Sequence, residues 1–455
     1  MSIKEWLKPG IRVKRWFFFG IFGILLIAFG FTELAIRRVY DIYYKIFYVF
    51  LNITGVLVIY ISVVESMKSI IALTNKGYIH LSLDSRKMED LIYEKRLLVK
   101  GPKIVVVGGG TGLSTMLRGL KYYTSNITAI VTVADDGGGS GALREDLGML
   151  PPGDIRNCIL ALADTEPLME ELLQYRFTDG RLKNQSFGNL FLAAMDGVSE
   201  NFEDAVQKMS SVLAVTGKVL PVTLEDMKLV AELENGNIVE GESQIPEEAM
   251  NQNSRVKKLM IEPRDAKPLQ DAIKAIEEAD AIVLGPGSLY TSVIPNLLVK
   301  DIAENIRKSD AIKIYISNIM TQPGETHGFK ASDHIKVLKK YGGRGIVDYV
   351  VANRGDIPSD IKERYLKDSS QLVELDSKEL KRLGVEIIEA SLVKIEKGYV
   401  KHDAEYLAEV LVDTIMEKKL LYDRKRIIEY MYVSQRIKER EKKNKVNKDK
   451  NKTKG

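Results

Sequence analysis

The amino-acid sequence predicts an α/β protein: a mostly parallel sheet with helices on both faces, preceded by a two-helix transmembrane hairpin. From Lys103 onward, short β-branched runs recur with amphipathic helical stretches between several of them; the runs are KIVVV, ITAIVTVA, AIVLG, AIKIYIS and IVDYVVAN. Strands that are so continuously apolar are typical of a parallel sheet covered on both faces. Several of these strands end in glycine or short polar residues, as in a Rossmann-like sheet that binds ligands beyond its strand ends.

Two long apolar runs precede the strands, at residues 16–36 and 46–64. Each has close to the ~20 residues that cross a bilayer as a helix. Neither has the polar face of a soluble amphipathic helix, and the presence of a second run argues against a cleaved signal peptide. Lysine and arginine precede the first run and follow the second, which places both ends in the cytoplasm. We therefore predict a hairpin at residues 1–67 that spans the cell membrane twice, with the main domain in the cytoplasm.

Charge is distributed unevenly along the chain. Residues 416–455 carry 15 Lys/Arg and 6 Asp/Glu, and residues 1–15 carry a net charge of +4. Because the whole chain carries +4, the residues between these ends are acidic, at about −9. An acidic body argues against a protein that wraps nucleic acid. The single cysteine, Cys158, excludes an internal disulfide and a cysteine-based metal cluster.

The same patterns divide the rest of the chain. Residues 68–100 alternate short apolar and charged stretches and predict a linker helix, and residues 101–415 hold the sheet domain. Residues 416–455 predict a basic C-terminal helix with a disordered tail. Residues 229–241, LVAELENGNIVEG, alternate around an Asn-Gly turn and predict an exposed hairpin. Such an excursion from the sheet suits an oligomer contact or a lid.

The first glycine-rich turn, GGGTGLS at residues 108–114, follows a strand and opens a helix. Backbone N–H groups and the positive end of a helix dipole suit phosphate there, with Thr111 or Ser114 close by. Leu113 stands where the dinucleotide fingerprint needs its third glycine, and no Walker motif is present. The alternative interpretation is a tight strand–helix turn.

The second glycine-rich turn is GPGSLYTS, at residues 285–292. It predicts another phosphate site, with Ser288 as a helix N-cap and Tyr290 available to stack on a base or sugar. The alternative is a capped helix start with a tyrosine in the core. Two such turns in one sheet are stronger evidence than either alone.

Two adjacent carboxylates, Asp135 and Asp136, end another strand. An acidic residue at that place binds ribose hydroxyls in Rossmann-like folds, and a pair suits Mg²⁺ held together with substrate phosphates. The alternative is a solvated Asp-Asp turn. The two aspartates are the tentative metal ligands, and the candidate catalytic residues if the protein is an enzyme.

Further polar residues fall near the same strand ends. Arginine grips phosphate in a bidentate manner, which suggests a phosphate contact in the segment after the aspartates, although a salt-bridged loop is the alternative. Asn189 lies at a predicted helix start, where it is a ligand contact or an ordinary N-cap. The complete set of candidate ligand-binding residues is Gly109, Gly110, Thr111, Gly112, Ser114, Asp135, Asp136, Ser140, Arg144, Asp154, Arg156, Asn157, Asn189, Gly285, Gly287, Ser288, Tyr290 and Asn318.

Several separated motifs resemble one known family. The motifs are KIVVVGGGTGLSTMLRGLK, ITAIVTVADDGGGSGALRED, PPGDIRNCILALA, SFGNLFLAA, IVLGPGSLYTSVIPNLLV and NIMTQPGETHGFKASDH. In this order they resemble the gluconeogenesis factor family (YvcK-like), within the superfamily of 2-phospho-L-lactate transferase (CofD-like). The resemblance covers roughly residues 101–415. Gly139 stands where the family pattern has a second serine, which alters one hydrogen bond to a ligand.

The resemblance implies a domain that binds a nucleotide-sugar such as UDP-N-acetylglucosamine, with a regulatory role in cell shape and envelope synthesis during gluconeogenic growth. The alternative that it implies is a Mg²⁺-dependent transferase of the 2-phospho-L-lactate type, which uses a nucleotide-diphosphate donor. Mg²⁺ is then the candidate cofactor. A nicotinamide dehydrogenase is disfavoured by the broken fingerprint. The expected partners are the nucleotide-sugar, the membrane and, as an option, further copies of the chain; nucleic acid is not expected.

Overall fold

The structure is a computed structural model that describes residues 13–36, 42–74, 101–420 and 434. The chain divides into two compact units, residues 1–91 and 92–455. The predicted linker beyond residue 74 and the predicted tail beyond residue 420 lie outside the described residues, apart from residue 434.

The first unit is a pair of antiparallel helices, α1 (Val13–Ile36) and α2 (Ile42–Thr74). They approach closely at two glycines, since a Cβ on Gly23 would lie 2.9 Å from the carbonyl oxygen of Gly55, and one on Gly55 would lie 2.8 Å from that of Gly23. Among the described helices, one is long and apolar enough to cross a membrane, at Ile42–Glu65 with a mean hydropathy of 2.2. The apolar segment of α1, Phe18–Leu34, is shorter. Two membrane spans therefore remain a prediction.

The described part of the second unit holds twelve strands, and their bounds are β1 Ile104–Gly108, β2 Ile127–Val131, β3 Lys218–Pro221, β4 Lys228–Leu233, β5 Ile238–Glu240, β6 Val256–Glu262, β7 Ala281–Leu284, β8 Ile312–Ile316, β9 Tyr349–Asn353, β10 Glu386–Ala390, β11 Val393–Glu396 and β12 Tyr399–His402. Its helices are α3 Gly110–Leu120, α4 Gly138–Leu147, α5 Gly153–Leu162, α6 Pro167–Gln174, α7 Phe187–Gly197, α8 Phe202–Val212, α9 Gln244–Asn251, α10 Gln270–Glu277, α11 Ile294–Leu298, α12 Ile302–Lys308, α13 Ala331–Gly342, α14 Ser359–Lys367, α15 Ser377–Arg382 and α16 Ala404–Ile415. A π-helical turn, Leu289–Val293, leads into α11, and another, Met416–Leu420, follows α16.

Seven strands form one parallel sheet in the order β10-β9-β8-β7-β1-β2-β3. All five strands expected from the apolar runs are present, and the parallel sheet is confirmed. Every residue of β1 and β7 is buried, because both faces of the sheet centre are covered. Strands β3 and β10 were not predicted, because both are short edge strands that begin with a charged residue.

Strand order reverses between β1 and β7. From β1 the chain continues outward through β2 and β3, and it then returns to β7 on the other side of β1 and continues to β10. Gly108 pairs with Val131, and Val107 pairs with Leu284, so the ends of these central strands are in register. Such a reversal opens a crevice beyond the carboxyl ends of the strands, where open α/β sheets bind ligands.

A second, antiparallel sheet has the order β5-β4-β6. Val230 pairs with Glu240, which confirms the hairpin expected at residues 229–241, and Gly236 in its turn has a φ of 91°. The third strand, β6, was not expected. Cys158, on α5, is fully buried in the core.

Candidate functional site

The two glycine-rich turns meet at the reversal between β1 and β7. A Cβ on Gly112 would lie 2.8 Å from the carbonyl oxygen of Pro286, and one on Gly287 would lie 2.9 Å from that of Gly109. Backbone thus contacts backbone, and only glycine fits at both places. The two turns, one from each central strand, are therefore in contact at the carboxyl edge of the sheet, where the shared crevice stays a prediction.

The third glycine-rich segment, after Asp136, opens another helix. Helix α4 begins at Gly138, and its Gly141 packs on the backbone of Asp136 so closely that a Cβ would collide with it. Three helical segments therefore begin after β1, β2 and β7, and each directs its positive dipole end toward the carboxyl edge of the sheet.

Protein carboxylates already occupy two of these helix starts. Asp154 accepts a hydrogen bond of 2.6 Å from the Gly110 N–H in the first turn. Glu325 accepts one of 3.1 Å from the Tyr290 N–H and one of 3.2 Å from the Thr291 hydroxyl after the second turn. A ligand phosphate would have to bind these helix starts together with the two carboxylates or displace them. Neither carboxylate contact was predicted from the sequence.

Burial changes the protonation of both carboxyls. Burial raises the pKa of Asp154 to about 6, against the Gly110 hydrogen bond that lowers it. Burial also raises the pKa of Glu325 to about 7, although its hydrogen bonds to Tyr290 and Thr291 oppose the change. Each carboxyl therefore titrates near neutral pH, so the negative charge in the crevice depends on pH.

The adjacent aspartates are held by backbone. Asp135 accepts a hydrogen bond of 3.0 Å from the Gly137 N–H, and Asp136 accepts one of 2.9 Å from the Ser243 N–H. Glu242 lies beside them, and burial, followed by the charges of Asp154 and Asp135, raises its pKa well above the ordinary value. Its Oε2 atom is buried without a hydrogen-bond partner. The structure thus adds Glu242 and Glu325 to the predicted aspartates, and neither glutamate follows a strand of the main sheet.

Among residues 13–36, 42–74, 101–420 and 434, no group of three or more His, Cys, Asp or Glu side chains is arranged to hold a metal ion. Mg²⁺ in proteins is commonly held by one or two carboxylates together with substrate phosphates. Asp135 and Asp136 fit that partial donor set only when a ligand supplies the remaining oxygens.

The candidate arginines are engaged by protein groups. Arg144 forms an ion pair of 2.5 Å with Asp226 and donates 2.8 Å to the Met227 carbonyl, which is the salt-bridged-loop alternative. The Nε of Arg156 donates 3.1 Å to the Asn189 Oδ1, and both side chains are buried. Burial lowers the pKa of Arg156, and the nearby charge of Arg176 adds to this effect.

Asn189 is not a helix N-cap. Ser186 holds that position in α7, where its hydroxyl accepts the Asn189 N–H at 3.1 Å. Asn189 instead lies in the first turn and its amide oxygen accepts from the arginine side chain.

Two residues of the second turn, Tyr290 and Ser288, do not have the predicted roles of a base-stacking residue and a helix N-cap. Tyr290 is 5% exposed and packs edge-to-face on Phe329 at a ring distance of 6.5 Å, which places it in the core. The Ser288 side chain makes no capping hydrogen bond to the helix. Its hydroxyl instead accepts a hydrogen bond of 2.6 Å from the Gln322 side-chain amide. The Gln322 amide oxygen in turn accepts a hydrogen bond of 3.0 Å from the Asn318 side-chain amide.

The remaining candidate residues are dispersed around the crevice. The Ser114 hydroxyl donates 3.0 Å to the Thr111 carbonyl within α3. Ser140 is buried against Gly153, and Asn157 is half-buried on α5. These contacts fix local structure and leave the backbone of the turns as the main feature of the site.

Several buried side-chain oxygens near the carboxyl edge of the sheet have no hydrogen-bond partner among the described residues. Thr132 follows β2, Asn318 follows β8, and Asn296 donates through its amide nitrogen to the Gly108 carbonyl. Of the seven buried side-chain atoms without a partner in the described part of the chain, five belong to this group, namely Thr132 Oγ1, Gln185 Oε1, Glu242 Oε2, Asn296 Oδ1 and Asn318 Oδ1, and the other two are Tyr315 Oη and His334 Nε2. Buried polar atoms are satisfied in nine cases of ten or so, and a concentration of exceptions indicates water or a ligand that brings donors.

A segment at residues 241–246, which we call the crossing segment, runs over this edge of the sheet. At one end Gly241 and Ser243 contact the Asp136 carboxylate, and at the other end the Pro246 backbone packs directly on Gly324. A cavity of about 390 Å³ beside Arg144 is lined in part by Gly241 of this segment. Another cavity, of about 330 Å³, lies beside Glu325 and Gly324.

Comparison with known proteins identifies close relatives. The family described as 2-phospho-L-lactate transferase CofD matches residues 104–393. A Clostridium acetobutylicum protein named "Putative gluconeogenesis factor" is 63% identical over 98% of this chain and 99% of its own. The Bacillus subtilis gluconeogenesis factor is 49% identical over 70% of this chain and 99% of its own. The crystal structure of a Bacillus halodurans protein, 47% identical, superimposes with a TM-score of 0.66 over 68% of this chain and 99% of that one.

Proposed function

The chain belongs to the 2-phospho-L-lactate transferase CofD family, and on that premise we propose that its crevice binds a nucleotide-sugar such as UDP-N-acetylglucosamine as a regulatory ligand. Relatives that match this chain over nearly their whole length are named gluconeogenesis factors. The regulated process that we propose is envelope synthesis, and with it cell shape, during growth on gluconeogenic carbon sources.

One observation carries the proposal: two glycine-rich turns touch at the strand-order reversal, and buried acceptors without donors surround them. Helix starts next to Gly110 and Gly287 suit the negative diphosphate. Sugar hydroxyls and the uracil N–H are donors, which the oxygens of Thr132 and Asn318 lack in the protein. A nucleotide-sugar brings both kinds of group in one molecule.

Binding without turnover is favoured by how the carboxylates are held. Asp135 and Asp136 each accept a backbone N–H, and Glu242 beside them has a raised pKa. Carboxylates that stabilise structure are less available as a catalytic base. The proposal is therefore a ligand-responsive protein in which the crossing segment senses whether the crevice is filled.

The test uses the full chain in detergent micelles. UDP-N-acetylglucosamine should raise the urea midpoint of pulse proteolysis and be recovered unchanged by chromatography. Thr132→Val, which removes a buried hydroxyl that lacks a partner, should weaken this response about tenfold, as loss of one hydrogen bond of about 1.4 kcal/mol would. Thr128→Val, on the strand β2 that precedes Thr132, is the control and should respond like the unmodified chain. If UDP-N-acetylglucosamine raises the urea midpoint equally in the unmodified chain, Thr132→Val and Thr128→Val, the proposed binding site is wrong.

A second candidate function is a Mg²⁺-dependent transferase of the 2-phospho-L-lactate type. The family description and the Asp135–Asp136 pair at the end of β2 favour it. When bound with a nucleotide-diphosphate donor, Mg²⁺ would neutralise the charge of the phosphates. Incubation with a GDP-linked phospholactyl donor, a deazaflavin acceptor and Mg²⁺ separates the two functions: transfer that Asp135→Asn abolishes would replace the regulatory proposal.

We also propose that α1 and α2 span the cell membrane and hold the second unit in the cytoplasm. The apolar length of α2 and the close glycine contacts between the helices, of the kind that membrane helix pairs use, support this. A reporter fused after Gly455 should behave as cytoplasmic, and an exported reporter would contradict the topology. Loss of the gene should impair growth and cell shape on gluconeogenic carbon sources, with rescue by the intact chain.

A further inference from the structure

A cavity of about 500 Å³ lies along strand β6, which is an edge strand of the antiparallel sheet. Leu298, at the end of helix α11, and Tyr341, in the last turn of helix α13, also line it. Helix α13 leads into the start of β9, so its last turn lies toward the amino edge of the parallel sheet, opposite the crevice. We call this space the β6 cavity, and none of its lining residues was predicted as a ligand contact.

One part of the lining of the β6 cavity is apolar. Leu259 and Ile261 of β6 are buried, and Met260, Leu298 and Tyr341 are half-buried around them. Cavities of about 300–1,000 Å³ with an apolar lining and a few polar groups are typical sites for small molecules. The size and the lining of the β6 cavity therefore suit a compact organic molecule.

Side chains of α13 already bind the backbone of β6 beside the cavity. The Tyr341 hydroxyl accepts a hydrogen bond of 2.8 Å from the Leu259 N–H. The Lys340 Nζ donates one of 2.6 Å to the Lys257 carbonyl. An extended peptide that joined the sheet at this edge would need these same backbone groups. A small molecule leaves both contacts in place and is the occupant that fits.

The other part of the lining is strongly positive. It holds four cationic side chains, Lys257, Lys258, Arg264 and Lys340, and one carboxylate, Glu232. Glu232 is occupied by an ion pair of 2.5 Å with Lys257. Among the residues that the structure describes, neither Lys258 nor Arg264 has a carboxylate within 4.0 Å. Because residues 16–415 are acidic overall, this excess of positive charge is a local feature that favours an anion.

We propose that the β6 cavity binds a small organic phosphate, as a second ligand site separate from the crevice. The phosphate pairs with Arg264 and Lys258, and the apolar part of the ligand lies against Leu298 and the Tyr341 ring. Arginine binds phosphate in a bidentate manner and lysine adds a mobile positive charge. Inorganic phosphate would leave the apolar lining in water, and a neutral apolar compound would leave the cations unpaired. An organic phosphate satisfies both parts of the lining.

The test uses the full chain in a neutral detergent and pyridoxal 5'-phosphate as a planar organic phosphate probe. Its aldehyde condenses with a lysine amine to an imine and water, and borohydride reduces the imine to a secondary amine that peptide mass spectrometry locates. Lys257, Lys258 and Lys340 together should be modified several-fold faster than Lys367, an exposed lysine on α14 outside the cavity. Phenyl phosphate should suppress the modification, and inorganic phosphate at the same concentration should suppress it much less. Equal rates inside and outside the cavity, or equal protection by the two phosphates, would overturn the proposal.

Two matched variants separate the cavity from general surface charge. Arg264→Gln should raise the phenyl phosphate concentration that gives half protection by about tenfold, because one charge-assisted pair is lost. Arg382→Gln removes the same charge from an exposed position on α15 and should leave that concentration unchanged. Both variants should keep the urea midpoint of the unmodified chain, since both arginines are exposed.

Equal effects of the two variants would assign the protection to general surface charge and overturn the proposal. UDP-N-acetylglucosamine, the ligand that we propose for the crevice, should not protect the cavity lysines. Protection by it at concentrations as low as those of phenyl phosphate would exclude a site separate from the nucleotide-sugar site.

Discussion

The substitution Gly112→Ala tests whether the two glycine-rich turns are in contact. Gly112 lies within helix α3, where alanine is ordinarily preferred to glycine. By helix propensity alone the change should stabilise the protein by ~0.5–1 kcal/mol. The structure predicts the opposite sign, because the added Cβ would lie 2.8 Å from the Pro286 carbonyl oxygen and 3.0 Å from its carbon.

The expected magnitude follows from what must move. The obstructing atoms belong to backbone at the start of the second turn, so a side-chain rotation does not relieve the overlap. Overpacking of this kind costs ~1–3 kcal/mol, which exceeds the gain in helix propensity. We therefore expect Gly112→Ala to lower the free energy of unfolding by about 1–2 kcal/mol. It should also weaken binding of UDP-N-acetylglucosamine, because it separates the two turns.

The matched control is Gly197→Ala in helix α7, where an added Cβ would meet no atom within 4 Å. Both substitutions restrict the unfolded chain equally, so their difference isolates the native contact. Pulse proteolysis of the full chain across a urea gradient measures both midpoints. Gly197→Ala should unfold at the same or higher urea and Gly112→Ala at lower urea. A Gly112→Ala variant as stable as the control would refute the contact between the turns.

Three further predictions concern the buried carboxyl, the helix start and the helix pair. Because burial raises the pKa of Glu325 to about 7, the folded chain keeps a proton that the unfolded chain loses near its ordinary pKa. From about pH 5 to pH 8 this carboxyl alone should lower the free energy of unfolding by on the order of 3 kcal/mol. Glu325→Gln should make the pH profile of the urea midpoints shallower by that amount, and the slope that is left should come from Asp154 and Glu242, whose pKa values are raised as well. Asn189→Leu removes the acceptor of the buried Arg156 guanidinium and should lower the free energy of unfolding by about 2–3 kcal/mol. Asn189→Asp keeps an acceptor there and should lower the free energy of unfolding much less. Paired cysteines at Gly20 and Ser62, whose Cβ positions would lie 3.5 Å apart, should form a disulfide that Gly55→Leu prevents by separating α1 from α2.

Local sequence patterns predicted most of the individual strands and turns. Runs such as ITAIVTVA predicted strands, because a buried parallel strand needs continuous apolar residues, and the Asn-Gly turn predicted the β4–β5 hairpin. Both signals depend on neighbours within a few residues. Glycines at the ends of β1 and β7 likewise indicated close approach of backbone. Short edge strands such as β3 and β10 were missed, because four or five residues with a polar start carry too little pattern.

Only the tertiary structure decided which groups meet at those ends. Asp154 reaches the first turn from 44 residues away, and Glu325 reaches the second from 35 residues away. Strand order brings these segments together, and no local pattern encodes strand order. For the same reason the sequence did not predict that Glu242 lies beside the two aspartates, since Glu242 belongs to a segment outside the main sheet. Side-chain burial is likewise a property of the whole packed domain, and it placed Tyr290 in the core.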